Sequence, residues 1–197
     1  MTAMLLRGLL LLPRAKRWMR ETIAAARPQS MSIAECGFDH LPGIFSRDLL
    51  ARVRIVEVDQ VPQPPLERWG LAGEALLARD AAGITLDQMI FVKSGLQHDE
   101  SLAFHELVHA IQWSTLGINR FLALYGLLLL EYGYAEHPLE AMAYHLQAIF
   151  DEGSPLPNVE AVVARRTQEA FASFRARSLG HRLALSLLPS PRRRGAW

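Results

Sequence analysis

The fold of this 197-residue chain is decided by residues 99–116, which read DESLAFHELVHAIQWSTL. Apolar side chains recur in this stretch at the spacing i, i+3, i+4 and i+7, the repeat of one helix face: Phe104, Leu107, Val108 and Ile111. Two acidic residues open the stretch and Gly117 follows it, which are the usual boundary signals of a helix. We therefore expect one helix from Asp99 to Leu116 with its apolar face in the core.

The same helix carries His105-Glu106-Leu107-Val108-His109. Histidines four residues apart lie about 40° apart around a helix axis, so both imidazoles can bind one cation at roughly 2.0–2.1 Å. Glu106 lies beside the histidine face and off the apolar stripe, where it can reach a water molecule without being a ligand. This is the arrangement that zinc-dependent peptide hydrolysis uses. The pattern predicts Zn²⁺ bound by His105 and His109, with Glu106 as the catalytic base.

A catalytic zinc site needs a third protein ligand and one open position for water. The metzincin pattern HExxHxxGxxH is absent, because Gln112 and Thr115 stand at its Gly and His positions. The candidates lie in the helical segments that follow: Glu131, Glu136, His137, Glu140 and His145. Glu140 is preferred because it falls in the first turn of a helix beginning at Pro138, and the small Ala143 one turn later allows close approach. Glu136 and His145 remain alternatives.

Further polar side chains are candidates for supporting roles around the metal. Gln112 lies one turn beyond His109 and could hydrogen bond to a ligand. Four side chains could donate to an oxyanion developing in the reaction: Tyr132, Tyr134, Tyr144 and His145. Two other interpretations stay open: the histidines could be buried structural residues, or they could hold a metal without catalysis.

The remaining elements predict an α+β, mainly helical fold. Strand-like patterns cover Arg52–Val58 and Ile84–Val92. One helix is expected to begin at Pro138, and its apolar stripe is Leu139, Met142, Leu146 and Ile149. A second helix is expected over Val159–Ser178 and should end at Gly180. Its core-facing residues are Val159, Val163, Phe171 and Phe174. The run Phe121–Leu130 is about half of the roughly twenty apolar residues that a bilayer requires, so we expect a buried core helix there.

Charge is distributed unevenly along the chain, although the formal net charge is only +1. Residues 1–30 contain six basic residues and one acidic residue. Residues 31–159 contain seven basic and seventeen acidic residues, and residues 160–197 contain eight basic and two acidic residues. The basic ends carry no recognisable nucleic-acid-binding motif, so no nucleic acid partner is expected. Met4–Leu12 followed by Arg14, Lys16, Arg17 and Arg20 predicts an amphipathic helix that docks on the domain, on a partner protein or on a membrane surface.

The number of cysteines indicates the redox conditions of the cellular compartment. Cys36 is the single cysteine and cannot form an intramolecular disulfide, so a reducing compartment is expected. The apolar run near the N-terminus is broken by Arg7, and its basic cluster follows rather than precedes it, which is the reverse of a secretory signal. We therefore expect a cytoplasmic protein, with residues 1–30 able to make it peripheral to a membrane.

Three stretches together carry a resemblance: ITLDQMIFV at 84–92, LAFHELVHAIQW at 102–113 and HPLEAMAY at 137–144. They resemble a small bacterial zincin of the gluzincin type, similar to the metallopeptidase-like domains that also occur in toxins and extracellular contractile injection systems. In such families a strand precedes the HExxHxxQ helix, and a later helix brings a Glu followed by a small residue. The similarity covers about residues 50–150, and the segment between His109 and Glu140 is longer than in the thermolysin pattern.

The resemblance implies a zincin-like fold with a small sheet packed on the HExxH helix. It implies His105, His109 and Glu140 as zinc ligands, Glu106 as catalytic base, and a peptide or protein as substrate. The chain then divides into a basic amphipathic arm (1–30), a zincin-like metallopeptidase domain (31–158), and a C-terminal helix with a basic tail (159–197). The alternative is a non-catalytic zincin-fold module that docks on a partner protein or membrane through its basic arms.

Overall fold

The computed structural model describes residues 2–70 and 81–179. Within these residues the helices are α1 (Thr2–Ala26), α2 (Leu41–Ile44), α3 (Arg47–Arg52), α4 (Glu100–Leu116), α5 (Ile118–Tyr132), α6 (Pro138–Asp151) and α7 (Val159–Leu179). The strands are β1 (Met31–Ser32), β2 (Arg54–Val58), β3 (Gly83–Leu86) and β4 (Met89–Lys93). Short 3₁₀ turns cover Arg27–Gln29, Ile33–Glu35 and Glu67–Trp69. The predicted α+β, mainly helical class is confirmed.

The four strands form one mixed sheet in the order β1-β2-β4-β3. Its central strands β2 and β4 are parallel, with Ile55 opposite Ile90, whereas the outer strands pair antiparallel to their neighbours. Strand β4 is buried and apolar on both faces over Met89–Val92, as is usual for a strand that is covered on both sides, whereas β2 buries Ile55 and Val56 at its centre. Strand β3 lies at one edge of the described sheet and contacts α4.

The single strand predicted for Ile84–Val92 is wrong. The chain reverses at Asp87 and Gln88, so that Leu86 pairs with Met89 and two antiparallel strands result. Asp87 adopts a left-handed backbone with φ of 59°, which Asp tolerates better than most residues. The Gln88 amide donates to the Ala110 carbonyl at 3.2 Å and thereby fixes the turn against α4. A glycine-free turn of this kind gives little sequence signal.

Helix α4 is the centre of the molecule, and every residue from Ala103 to Trp113 is buried. The Asp99 side chain caps its N-terminus by accepting from the Leu102 N–H at 2.9 Å, and Gly117, with φ of 72°, ends it. The sheet packs on one side of the helix and α6 and α7 pack on the other. The predicted apolar stripe is buried, but so is the polar face that carries the histidines.

Helix α5 follows α4 after a sharp bend at Gly117. The buried residues of its core-facing side include Phe121, Leu124 and Leu128, which confirms the core helix expected at Phe121–Leu130. Among the described residues no single helix is long and apolar enough to span a membrane; α4 and α5 together meet that criterion but are bent by 118°.

The two terminal helices pack onto the same core. Helix α1 continues through Pro13 and buries Met19, which is 1% exposed, against the side of the molecule formed by α5 and β3. Arg14, Arg17 and Arg20 lie exposed on its outer face. In α7 the four predicted core residues, Val159, Val163, Phe171 and Phe174, are all buried. The predicted stop at Gly180 and the basic tail to residue 197 lie outside the described residues.

Candidate metal centre

Three potential ligand atoms converge between α4 and α6. The Nε2 atoms of His105 and His109 are 3.1 Å apart, and Glu140 Oε2 lies 3.6 Å from the first and 3.4 Å from the second. All three side chains are buried, with exposures of 5%, 7% and 4%. The group can hold a metal ion.

The separations between these atoms fit a tetrahedral ion. Ligands that bind zinc at 2.0–2.1 Å in tetrahedral geometry lie about 3.3–3.4 Å from one another, and the three observed separations bracket this value. Two imidazole nitrogens and one carboxylate oxygen suit zinc and similar transition metals, whereas calcium and magnesium prefer oxygen ligands alone.

The protonation state of His109 follows from its hydrogen bonds. Gln112 Nε2 donates to the Leu139 carbonyl at 3.1 Å, so the amide oxygen of Gln112 must face His109 Nδ1 at 2.9 Å. Because that oxygen can only accept, Nδ1 carries a proton, and in a neutral ring Nε2 presents a bare lone pair to His105 and Glu140. Such a buried cluster of acceptors requires a proton or a cation at its centre. Gln112 thus makes a hydrogen bond to a candidate ligand, which is the supporting role considered for it from the sequence.

His105 is oriented from α6. Its Nδ1 lies 3.0 Å from the amide oxygen of Gln147, whose Nε2 donates to the Ser101 hydroxyl at 2.9 Å. The ring of Tyr144 packs against the His105 ring with a centroid distance of 4.5 Å and is 52% exposed. Both histidines therefore direct Nε2 toward the centre because an amide oxygen holds Nδ1.

The Tyr125 hydroxyl positions the Glu140 carboxylate, and the charge of His109 keeps it ionised. The Tyr125 hydroxyl donates to Oε1 at 2.7 Å, which leaves Oε2 directed at the histidines. Burial would raise the pKa of the Glu140 carboxyl, but the charge of His109 and hydrogen bonds from His105, His109 and Tyr125 outweigh it and hold the pKa far below its usual value. Burial lowers the pKa of His109, yet Glu140 outweighs burial and raises it to about 9. In the metal-free state a proton on His109 neutralises Glu140.

Glu106 lies beside the two histidines on α4, on the side of the helix that faces strand β3. The Thr85 hydroxyl donates to Glu106 Oε2 at 2.6 Å and also lies 3.0 Å from the Glu106 carbonyl. A Cβ at Gly83 would stand 2.8 Å from Glu106 Oε1, so only glycine leaves room for the carboxylate. Burial raises the pKa of Glu106, partly offset by His109, His105 and the Thr85 hydrogen bond. The carboxylate is therefore a stronger base than an exposed glutamate.

The other ligand candidates lie away from the centre. Glu131, Glu136 and His145 are exposed; Glu136 precedes the first turn of α6, and His145 points about 140° away from Glu140 around that helix. His137 is buried, but both of its ring nitrogens are engaged: Nδ1 accepts from the Leu139 N–H at 3.2 Å and Nε2 donates to the Tyr125 carbonyl at 3.1 Å. His137 therefore caps α6 and positions Glu140 instead of binding a metal. Because it points away from Glu140 around α6, His145 is not placed to be an oxyanion donor either.

Of the tyrosines considered from the sequence, Tyr134 and Tyr144 lie at the site. Burial and the neighbouring Glu140 carboxylate raise the pKa of Tyr134, whose hydroxyl interacts with Tyr144. Tyr125 and Gln147, which hold two of the ligands, were not among the candidates. Tyr125 could have been found from the sequence as a single tyrosine within the very apolar Phe121–Leu130 run. No sequence pattern marks Gln147, because its role depends on how α6 packs.

Tyr125→Phe tests the hydrogen bond to Glu140. The ring packing against Phe121 and His137 remains, but Oε1 loses its donor, so zinc affinity is expected to fall about tenfold. Competition with a chromophoric chelator measures the change. Tyr132→Phe removes the same atom from the last turn of the same helix, at a side chain that is not among those lining the cavity beside the centre, and serves as the control. Equal affinities for the two variants would contradict the positioning role of Tyr125.

Comparison of the chain with protein-family models, with curated proteins and with solved structures finds no match. The centre is therefore defined by its own geometry: a buried His105, His109 and Glu140 group that can hold a metal ion, with a buried carboxylate beside it.

Proposed function

We propose that this chain is a zinc-dependent peptide-bond hydrolase with a zincin-like active site. The observation that carries the proposal is the convergence of two Nδ1-anchored imidazoles and one carboxylate at tetrahedral separations, with Glu106 buried beside them. A purely structural zinc site is normally closed by four protein ligands. Three ligands and an adjacent base match the composition of a catalytic site.

His105, His109 and Glu140 would hold the zinc ion. When bound, zinc lowers the pKa of a water molecule toward 7 and polarises a carbonyl oxygen. Glu106 accepts the proton of the attacking water and later delivers it to the leaving amine. Thr85 donates a hydrogen bond to Oε2 of this carboxylate, so Oε1, on the Gly83 side, would be the atom that carries the proton. Tyr134 and Tyr144, which lie at the site, are the candidate donors to a developing oxyanion.

The edge strand β3 suits an extended substrate. It lies at the border of the described sheet, directly beside Glu106, and residues 83–86 line the same cavity as the metal ligands. A peptide that pairs with β3 through main-chain hydrogen bonds would place its backbone carbonyls next to the centre.

The sequence resemblance supports the same proposal. A strand, β4, precedes the helix with His105, Glu106 and His109, and Gln112 follows at the expected position. A later helix brings Glu140, followed by a small residue, to the two histidines. These are the features that the resemblance to small bacterial zincins implies.

The proposal is tested by metal analysis and peptide cleavage together. Protein purified without chelators should contain one equivalent of zinc and should cleave a degenerate peptide library, read by mass spectrometry. A chelator should abolish cleavage, and zinc should restore it. Protein that binds zinc stoichiometrically but cleaves no peptide would favour the non-catalytic module.

That alternative makes a separate prediction for the basic arm. The exposed Arg14, Arg17 and Arg20 lie on one side of α1, whose other side packs on the core. If this face docks on anionic lipid, Arg→Glu changes at all three positions should abolish flotation with phosphatidylserine vesicles at low salt, since each basic residue near the surface contributes about 1 kcal/mol. Deleting α1 is not a suitable test, because Met19 belongs to the core. Equal flotation of wild type and variant would exclude this face as a membrane contact.

A further inference from the structure

One cavity of about 240 Å³ adjoins the metal centre. It lies between α1, α5, strand β3 and the residues around Trp69, and His105, Glu106, His109 and Glu140 line one part of it. Apart from Gln63, its polar lining side chains belong to the metal centre or its hydrogen-bond partners, and the indoles of three tryptophans add apolar surface. The remainder of the lining is apolar.

The dimensions of this cavity exceed those of one amino-acid side chain. Its lining runs along α1 from Leu11 to Met19 and along α5 from Phe121 to Leu130, a distance of about 12 Å at 1.5 Å per residue. Apolar cavities of about 150 Å³ stay dry and bind benzene, and this one is larger and elongated. A mainly apolar space of this length that ends at a candidate hydrolytic centre suits an extended hydrocarbon chain.

Gly126 lines the cavity without filling it. It lies in the interior of α5 and lines the cavity, yet a Cβ at this position would meet no atom within 4 Å. Glycine in a helix interior is less stable than alanine, and no close backbone approach requires it here. A residue that destabilises its helix and leaves space along the cavity unfilled is expected where the cavity has an occupant.

We propose that this cavity binds the acyl chain of an N-acylated peptide or amino acid, whose amide bond is the one hydrolysed. This inference rests on the proposed function and names its substrate class. Water adds its oxygen to the acyl carbonyl carbon, the C–N bond breaks, and the two products are a fatty carboxylate and a free amine that takes up the remaining proton. Glu106 carries the proton between them, and β3 faces the peptide part.

The binding step is tested on metal-free, full-length protein, so that it does not depend on catalysis. Dansylated undecanoic acid serves as the fluorescent probe, and N-acylglycines of increasing chain length displace it. Decanoylglycine should compete at least tenfold more tightly than butyrylglycine, because each added methylene enters apolar surroundings. The proposal would be overturned if the probe showed no saturable binding, or if affinity did not depend on the length of the acyl chain. Either result is expected if segments of the protein itself fill the cavity.

Two substitutions at Gly126 locate the bound chain. Gly126→Phe places a ring in the cavity and should weaken decanoylglycine at least tenfold, whereas Gly126→Ala should raise the melting temperature and retain binding. Gly43→Phe is the matched control, because Gly43 is exposed on α2 and a Cβ there also meets nothing. A folded Gly126→Phe variant that binds like the wild type would overturn the assignment; if that variant fails to fold, the smaller Gly126→Leu replaces it, and wild-type binding by a folded Gly126→Leu would overturn the assignment in the same way.

The zinc-loaded protein supplies the second readout. Decanoate should be released from a decanoyl peptide at least tenfold faster than acetate from the acetylated peptide. Cleavage of internal peptide bonds without acyl-chain binding would overturn this inference and leave the hydrolase proposal intact. Chain-length-dependent binding without release of decanoate would overturn the substrate assignment and count against the hydrolase proposal itself.

Discussion

Glu106→Gln is expected to lower the rate of hydrolysis at least 100-fold while the protein retains its zinc. A positioned general base contributes about 10²–10⁴-fold, and an amide cannot accept the proton. The three candidate ligands, His105, His109 and Glu140, are unchanged by the substitution. Rates measured by product formation and zinc measured by elemental analysis on the same preparation give both values.

The local structure predicts that this variant folds. Thr85 can donate to the amide oxygen as it does to Oε2, and the substitution removes a buried negative charge whose burial raises its pKa. The melting temperature should therefore be no lower than that of the wild type. If Glu106→Gln lost activity and also unfolded, the prediction that this variant folds would be contradicted.

Glu100→Gln is the matched control on the same helix. Glu100 accepts the N–H groups of His40 and Leu41 through Oε1, a role that an amide oxygen can keep. Its remaining contact is with the exposed His40 ring. This variant should hydrolyse peptide at the wild-type rate. If both variants lost activity equally, or if Glu106→Gln kept more than a tenth of it, Glu106 would not be the base.

The central helix and its two histidines could be predicted because both depend on local spacing. The repeat of Phe104, Leu107, Val108 and Ile111 determines which face of α4 enters the core, and the helix repeat then places His105 and His109 side by side. Glu140 could be selected because a first-turn position next to small residues favours close packing of α6. Each inference used residues within one or two turns of each other.

The parts that could not be predicted depend on pairing between distant segments. The reversal at Asp87 lacks the Asn-Gly or Asp-Gly signal of a hairpin, and β1 is only two residues long. Gln147 is one of many helix polar residues until α6 is placed beside α4, when its amide oxygen meets His105. Tyr125 likewise meets Glu140 only because α5 folds back at Gly117.

Removal of a metal ligand is the second change with a large expected effect. His109→Ala and Glu140→Ala should each weaken zinc binding at least about 100-fold, beyond the 10–100-fold associated with groups that only orient ligands. Isothermal titration or chelator competition measures the affinity. The chain offers a control for each: His145→Ala and Glu136→Ala remove exposed side chains of the same types that lie away from the centre, and both should bind zinc like the wild type.

Thermal stability separates a lost ligand from a damaged fold. A metal present at 100 times its dissociation constant stabilises the native state by about 2.7 kcal/mol, so a chelator should lower the melting temperature of the wild type and of both control variants. For His109→Ala and Glu140→Ala the melting temperature should be the same with and without chelator, because no metal-dependent term remains. The two ligands lie on different helices, and Gln112 joins His109 to the α6 backbone at Leu139. Metal binding therefore fastens α4 to α6, and a chelator-sensitive melting temperature in Glu140→Ala would show that the ion is held without the second helix.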